Sequence, residues 1–144
     1  MREEDEVIMA FELKLDKSNR IIITRLLGEL TDDDTISHVV KVSELFKQGV
    51  LDSTWSQLLD FSGVSEMNLS SSTISRIAEE NPWPEESLRV FVVPREIQYG
   101  LARMYQIMGD PKTENVVLVK SHSEAIDHIM SVKGRKDDGI PFRG

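Results

Sequence analysis

The first apolar positions of the chain alternate with polar ones. Residues 11–15 read FELKL, a period of two that is typical of a strand with one buried face. A polar turn at 16–20 separates this run from a second apolar run, Ile21–Leu27. Two strands joined by a short turn predict an antiparallel hairpin, and Gly28 is expected to close the second strand.

After Gly28 the apolar period becomes that of a helix. Thr31 and Asp34 form a predicted N-cap with an acidic first turn, and helical spacing continues to Gly49. From there strands and helices alternate. The pattern predicts strands at 55–61, 88–93 and 116–119 and helices near 70–80, 95–108 and 122–132.

The element order ββαβαβαβα predicts an α/β fold. Single helices between apolar strands favour a mostly parallel five-stranded sheet, with an antiparallel first strand and about four helices. A chain of 144 residues fits one domain. We expect the domain to span residues 7–132, after an acidic N-terminal extension at 1–6 and before a flexible C-terminal tail at 133–144.

Composition narrows the functional classes. The chain has no cysteine, which excludes disulfides, thiolate nucleophiles and cysteine-based metal sites. A net charge of −8 argues against nucleic-acid binding, because phosphate contacts need a clustered basic face. No apolar run approaches the roughly 18 residues of a membrane span, and the acidic N-terminus differs from a secretory signal. We therefore expect a cytoplasmic protein without a transmembrane segment.

The chain lacks recognisable catalytic and cofactor motifs. Paired carboxylates, a glycine-rich phosphate loop and a nucleophile with its base are all missing at recognisable spacings. The three histidines, His38, His122 and His128, are too dispersed to suggest a shared metal. The sequence thus predicts no enzymatic activity, no cofactor and no metal site.

One segment carries a more specific pattern. From Asp60 to Ser70 the chain reads DFSGVSEMNLS, directly after a buried strand. This run resembles the signature of STAS domains, the fold of anti-sigma-factor antagonists. In that family a strand ends in an aspartate and the chain then enters a helix at a phosphorylatable serine. The resemblance implies that Ser70 is the phosphoacceptor, with Ser71 and Ser72 beside it.

The chain differs from the family pattern at three positions. Asn68 stands where the family favours aspartate, Leu69 replaces a serine, and Ser71 replaces a glycine. Over residues 7–132 the element order and the helix around 99–105 resemble a broader SpoIIAA-like or STAS/SEC14 group of largely bacterial proteins of undefined role.

The polar residues at the two ends of this segment, Asp60 at the start and Ser70 or Ser71 at the end, also have structural interpretations. Ser70 or Ser71 would serve as a helix N-cap, accepting a bond from an unpaired backbone N–H. Asp60 would cap the N–H groups near Ser62 and Gly63. These structural roles are alternatives to a phosphoacceptor at Ser70 and to a ligand contact at Asp60.

The helix at 95–108 presents two faces. Its predicted buried face holds a spaced apolar set: Ile97, Leu101, Met104, Tyr105 and Met108. On another face Tyr99, Arg103 and Gln106 align near Arg95, a set suited to an anionic ligand or a partner surface.

These features favour a non-enzymatic regulatory module. The resemblance implies protein docking through the loop and helix at 62–78, with Ser62, Glu66 and Asn68 as contact candidates. The alternative is a domain that encloses a small apolar or lipid-like ligand. An uncovered edge strand also leaves homodimerisation open. The sequence specifies neither the identity of the partner or ligand nor the pathway.

Overall fold

The computed structural model describes residues 10–138 and the side chains of residues 10–134. The predicted extension at 1–6 lies outside the described residues, as do positions 139–144 of the predicted tail. The described elements are β1 (Phe11–Asp16), β2 (Ile21–Thr31), α1 (Asp32–Lys47), β3 (Ser56–Asn68), α2 (Ser71–Glu79), β4 (Arg89–Val92), α3 (Glu96–Gly109), β5 (Val116–Val119) and α4 (His122–Asp138).

All five strands form one sheet in the order β1-β2-β3-β4-β5. β1 pairs with β2 antiparallel, with Phe11 opposite Leu26, and every other neighbouring pair is parallel. The predicted fold class is therefore confirmed. Within the described residues no helix is both long enough and apolar enough to span a membrane.

The helices cover the two faces of the sheet unequally. On one face α4 packs its Ala125 and Ile129 against Leu58 and Val90 of the central strands. On the opposite face α1, α2 and α3 cover two apolar clusters. One cluster includes Leu26 of β2 with residues of α2 and α3, and the other includes Ile22 of β2 with residues of α1. α4 also extends to Asp138, beyond the predicted end at 132.

The N-terminus of α1 forms as the pattern predicts. The backbone N–H of Asp34 donates to the Thr31 hydroxyl at 3.2 Å, and the Thr31 N–H donates back to the Asp34 carboxylate at 3.4 Å. This reciprocal capping box satisfies two backbone donors that the helix leaves unpaired. It fixes where β2 ends and α1 begins.

β2 and β3 are longer than predicted. Gly28 does not close β2 but adopts a positive φ of 68° within it, and the strand continues to Thr31. Residues 63–68, predicted as a loop, pair with 27–31 and extend β3. The register between β2 and β3 shifts at two places. At each place β3 contains one residue more than β2, and a local irregularity of the bulge type accommodates it, so the strands stay paired.

Gly63 permits the first of these register shifts. A Cβ atom at this position would lie 3.0 Å from both the Leu26 carbonyl oxygen and the Leu27 Cδ2 atom. Such contacts are tighter than most real Cβ contacts, so a larger residue would displace its neighbours, and glycine lets the two backbones approach.

The predicted buried face of α3 is wrong in part. Ile97 is 60% exposed and Met108 is 40% exposed. The buried positions are instead Gln98, Ala102, Tyr105 and Gly109. Position 109 takes a glycine where α2 lies close. A Cβ on Gly109 would lie 3.2 Å from that of Ala78. Gln98 is buried because its amide donates to the Phe61 carbonyl at 3.1 Å.

Candidate functional site

The segment from Asp60 to Ser72 lies at the carboxyl edge of the parallel strands. β4 ends at Val92, opposite Asp60, whereas β3 continues to Asn68 before the chain enters α2. In open parallel sheets this edge is where loops and helix N-termini present polar groups to ligands and partners. The Asp60–Ser72 segment is therefore the candidate functional site.

Ser70 is the N-cap of α2 and also joins this helix to α1. Its hydroxyl accepts a hydrogen bond from the Thr73 N–H at 3.2 Å and donates to Asp32 Oδ2 at 3.0 Å. The Ser70 backbone N–H donates to Asp32 Oδ1 at 2.9 Å. One exposed serine thus holds the N-termini of two helices together.

The contact with Ser70 lowers the pKa of Asp32. The hydrogen bond from the Ser70 backbone is the largest effect on the carboxyl group and, with the bonds from the Ser70 and Thr73 side chains, lowers the Asp32 pKa below its usual value. Asp33 and Asp34 follow in the same first turn of α1. The hydroxyl of Ser70 therefore faces the Asp32 carboxylate at the acidic first turn of α1.

Ser71 and Ser72 occupy the first turn of α2, and both are exposed. Ser72 Oγ lies 3.2 Å from Ser70 Oγ. The predicted phosphoacceptor and its two neighbours therefore form one accessible serine cluster. Ser70 also fulfils the predicted N-cap role, and α2 begins immediately after it.

Asp60 is 2% exposed and accepts two hydrogen bonds. The Ser62 backbone N–H donates to Oδ1 at 2.8 Å, and Oδ2 lies 3.0 Å from His122 Nδ1. Burial acts to raise the Asp60 pKa, but the hydrogen bonds from Ser62 and His122 outweigh it and hold the pKa below its ordinary value. The predicted capping of the Ser62 N–H is observed, and the contact with α4 is additional.

We expect Asp60→Ala to lower the free energy of unfolding by about 1–3 kcal/mol, because the substitution leaves the Ser62 N–H without its acceptor. Asp60→Asn retains an acceptor oxygen and should cost less. Since the folded pKa lies below 3.8, the carboxylate stabilises the fold above that pH, and its contribution is lost as the pH falls below 3.8. Urea unfolding between pH 7 and pH 3 measures both effects.

Asp52→Ala is the matched control for Asp60→Ala. Asp52 also accepts from a backbone N–H two residues ahead, that of Thr54 at 2.9 Å, but it is exposed. Water can replace its hydrogen bond, so the loss should be smaller. An equal loss in the two variants would contradict a special role for burial at Asp60.

Several other predicted site residues lie along the same edge. Ser62 and Glu66 are exposed on β3, and Asn68 donates to Glu29 of β2 at 3.0 Å. Arg95, at the start of α3, donates to the Ser65 carbonyl at 3.3 Å. Ser62, Glu66 and Asn68 therefore follow Asp60 along β3, and the contact with Ser65 places Arg95 against the same strand.

The remaining predicted residues of α3 make contacts in two different places. Tyr99 lies beneath Lys120, whose Nζ is 5.1 Å from the ring centroid. Arg103 donates to Gln106 at 2.7 Å, and Gln106 donates to the Val116 carbonyl at 2.6 Å. Tyr99 faces the start of α4, whereas Arg103 and Gln106 line a shallow groove with Asp110 near the end of α3.

Two partners in this site were missed by sequence reasoning. Asp32 belongs to the acidic first turn predicted for α1, and His122 is one of the three dispersed histidines, but the sequence predicts neither contact. No local pattern links either residue to Ser70 or Asp60, because the contacts span 38 and 62 positions of the chain. The predicted element order does place both at helix N-termini, and this placement is the one available signal.

A cavity of about 80 Å³ lies between the sheet and helices α1, α2 and α3. Its lining is mostly apolar but includes buried polar side chains. The buried polar members are His38, Gln57, Arg89 and Gln98. Arg89 was not singled out from the sequence, although an arginine within the apolar run at 88–93 was a visible signal.

Comparison with solved structures identifies the fold. The structure of the anti-sigma factor antagonist SpoIIAA in its unphosphorylated form is 18% identical, with a TM-score of 0.56, and the match covers 84% of this chain and 98% of that chain. The Bacillus cell fate determinant SpoIIAA in its phosphorylated form is 19% identical, with a TM-score of 0.54 and coverages of 83% and 99%.

A third similar structure is an uncharacterized protein of the DUF3478 family with a SpoIIAA-like fold, from Shewanella loihica PV-4. It is 12% identical, with a TM-score of 0.56 and coverages of 83% and 92%. No protein-family model matches the chain, and no curated protein matches its sequence. The chain is an α/β domain. More narrowly, it has the SpoIIAA-like fold, so the predicted resemblance is confirmed at the level of the fold.

Proposed function

We propose that this domain is a non-enzymatic regulatory module that docks on a protein partner through the exposed side of residues 62–78. The observation that carries the proposal is the double contact between Ser70 and Asp32 on an accessible surface. The similarity to two SpoIIAA structures, both of regulatory proteins by name, supports it.

Phosphorylation of Ser70 would act as a switch on this surface. A phosphate at the N-terminus of α2 is favoured by the helix dipole. However, a phosphoserine oxygen cannot donate to Asp32 as the hydroxyl does, and its charge would lie beside the Asp32 carboxylate at the acidic first turn of α1. The modification would therefore remove the hydroxyl half of the double contact, weaken the link between α1 and α2, and change both the shape and the charge of the surface. One of the similar solved structures is a phosphorylated SpoIIAA, which agrees with such a role.

We expect Ser70→Glu to abolish partner binding while lowering the free energy of unfolding by only about 1 kcal/mol, the typical value of a lost N-cap. Affinity capture from cells that express the protein naturally, followed by mass spectrometry, would measure the binding. Phosphopeptide mapping of the same material should find a single phosphate on residues 70–72.

Ser121→Glu is the matched control. Ser121 also caps a helix, accepting from the Glu124 N–H at 3.2 Å, but it precedes α4 and lies outside residues 62–78. The same loss of a cap should leave partner binding intact. If both variants lose the partner equally, or if Ser70→Glu retains it, docking through this surface is wrong. Absence of phosphate on residues 70–72 under every growth condition would contradict the switch alone.

A further inference from the structure

The cavity beneath α1, α2 and α3 contains a buried cation without a counter-ion. Arg89 is 5% exposed; its Nε donates to Gln57 Oε1 at 2.9 Å and its Nη2 donates to the Tyr105 hydroxyl at 2.9 Å. Its Nη1 is buried and has no hydrogen-bond partner among the described residues. No carboxylate of the described side chains forms an ion pair with it.

Aromatic rings stabilise this charge only in part. The guanidinium carbon of Arg89 lies 5.9, 5.4 and 5.5 Å from the ring centroids of Trp83, Phe91 and Tyr105. Cation–π contacts of this kind are attractive, but they do not accept the hydrogen bonds of the free N–H groups. Burial of an arginine without a charge partner remains unfavourable, so the site is complementary to an anion.

Two further donors line the same cavity. Asn81 Nδ2 and Trp83 Nε1 are buried, and both are without partners among the described residues. His38, also in the lining, has its pKa lowered to about 4 by burial and by the charge of Arg89. Near neutral pH it is therefore uncharged, and Arg89 alone supplies the positive charge in the lining.

The size of the cavity limits what it can hold. Its volume of about 80 Å³ exceeds the roughly 10–15 Å³ that one water needs and is smaller than the roughly 150 Å³ cavity that holds benzene. A ligand of a few non-hydrogen atoms fits these bounds. Its polar end must accept hydrogen bonds and carry negative charge, and the remainder must be apolar.

We propose that this cavity binds a short-chain monocarboxylate. The carboxylate accepts hydrogen bonds from Arg89, and the alkyl chain packs against apolar lining residues such as Leu59 and Ile74. Thr35 of α1 and Ile77 of α2 are half-buried members of the lining, so the ligand enters between these two helices. The proposal is independent of docking through residues 62–78.

Titration of ¹⁵N-labelled protein with butyrate at neutral pH and constant ionic strength tests this assignment. We expect a saturable shift of the Trp83 indole N–H resonance and a rise in the thermal unfolding midpoint. Butyramide has the same shape without the charge and should bind at least about tenfold more weakly, because charge-assisted hydrogen bonds are lost.

Arg89→Met removes the charge and keeps an apolar side chain, a change that buried ion sites often tolerate. It should weaken butyrate binding about tenfold or more. Lys41→Met, which removes an exposed charge from α1, is the matched control and should bind as the unmodified protein does. If Arg89→Met fails to fold, Arg89→Lys keeps the charge but loses the planar geometry and should bind more weakly.

Three results would overturn the proposal. The first is equal affinity for butyrate and butyramide, and the second is unchanged butyrate binding in a folded Arg89 variant. The third is the lack of any saturable shift with acetate, butyrate and hexanoate, which would mean that only water satisfies these donors. None of these results bears on partner capture by the surface at Ser70.

Discussion

Lowering the pH from 7 to 4 is expected to reduce the free energy of unfolding by about 3 kcal/mol through His38. His38 is 6% exposed, and burial, followed by the charge of Arg89, lowers its pKa from 6.5 to about 4. Below pH 6.5 His38 therefore becomes protonated in the unfolded chain, whereas in the folded protein it stays neutral down to about pH 4. The unfolded state gains stability throughout this window.

Urea unfolding at successive pH values, compared between the unmodified protein and His38→Gln, measures this effect. Glutamine can preserve the contact with the Thr24 hydroxyl, at 3.2 Å from His38 Nε2, but it does not titrate. His128→Gln is the control and should keep the full pH dependence. Asp16, Asp32, Asp52 and Asp60 also lose stabilising contributions as the pH approaches 3.8, but both proteins retain these groups, so the difference between the two pH profiles reports His38. An equally steep loss of stability in His38→Gln would show that His38 is not the cause.

Leu58→Ala is expected to lower the free energy of unfolding by about 2–5 kcal/mol. Leu58 is fully buried on β3 and packs with Val90 and Ile129 between the sheet and α4. Removing its side chain leaves a cavity beneath a helix that neighbouring strands hold in place. Since small domains are typically stable by only about 5–15 kcal/mol, chemical denaturation should reveal this loss clearly.

Ile107→Ala is the control for this substitution. Ile107 is 65% exposed on α3, so its truncation should change stability by no more than about 0.5 kcal/mol. A loss below about 1 kcal/mol for Leu58→Ala would contradict the predicted rigidity of the packing between β3 and α4.

The two proposed sites share the same pair of helices. α1 and α2 both begin at the contact between Asp32 and Ser70. Farther along, the same helices supply His38 and Ile74 to the lining of the cavity. The surface proposed for docking and the cavity proposed for the carboxylate are therefore adjacent parts of one layer.

Local patterns predicted the elements well where a single feature determines a boundary. The capping box of Thr31 and Asp34 marks the start of α1, and Ser70 marks the start of α2. In each case the side chain satisfies a backbone donor a few positions away, so the signal lies within the local sequence. The fold class follows, because the alternation of strands and helices restricts the possible sheets to a few.

The candidate site was predicted only in part, for a physical reason. Ser70 was identified by its local run, but its partner Asp32 lies 38 positions away, and the partner of Asp60, His122, lies 62 positions away. Such pairs form only once the sheet brings distant strand and helix ends together. Hydrogen bonds between such distant residues produce no recognisable pattern in the sequence.

The sequence by itself determined the order of the elements, the antiparallel hairpin and the serine that begins α2, because each depends on near neighbours. Only the tertiary structure decided that β3 continues to Asn68, that α3 buries Gln98 and not Ile97, and that Arg89 is buried with no carboxylate partner among the described residues. These outcomes depend on strand register and on how closely the layers pack. A side chain's own neighbours in the sequence do not specify either quantity.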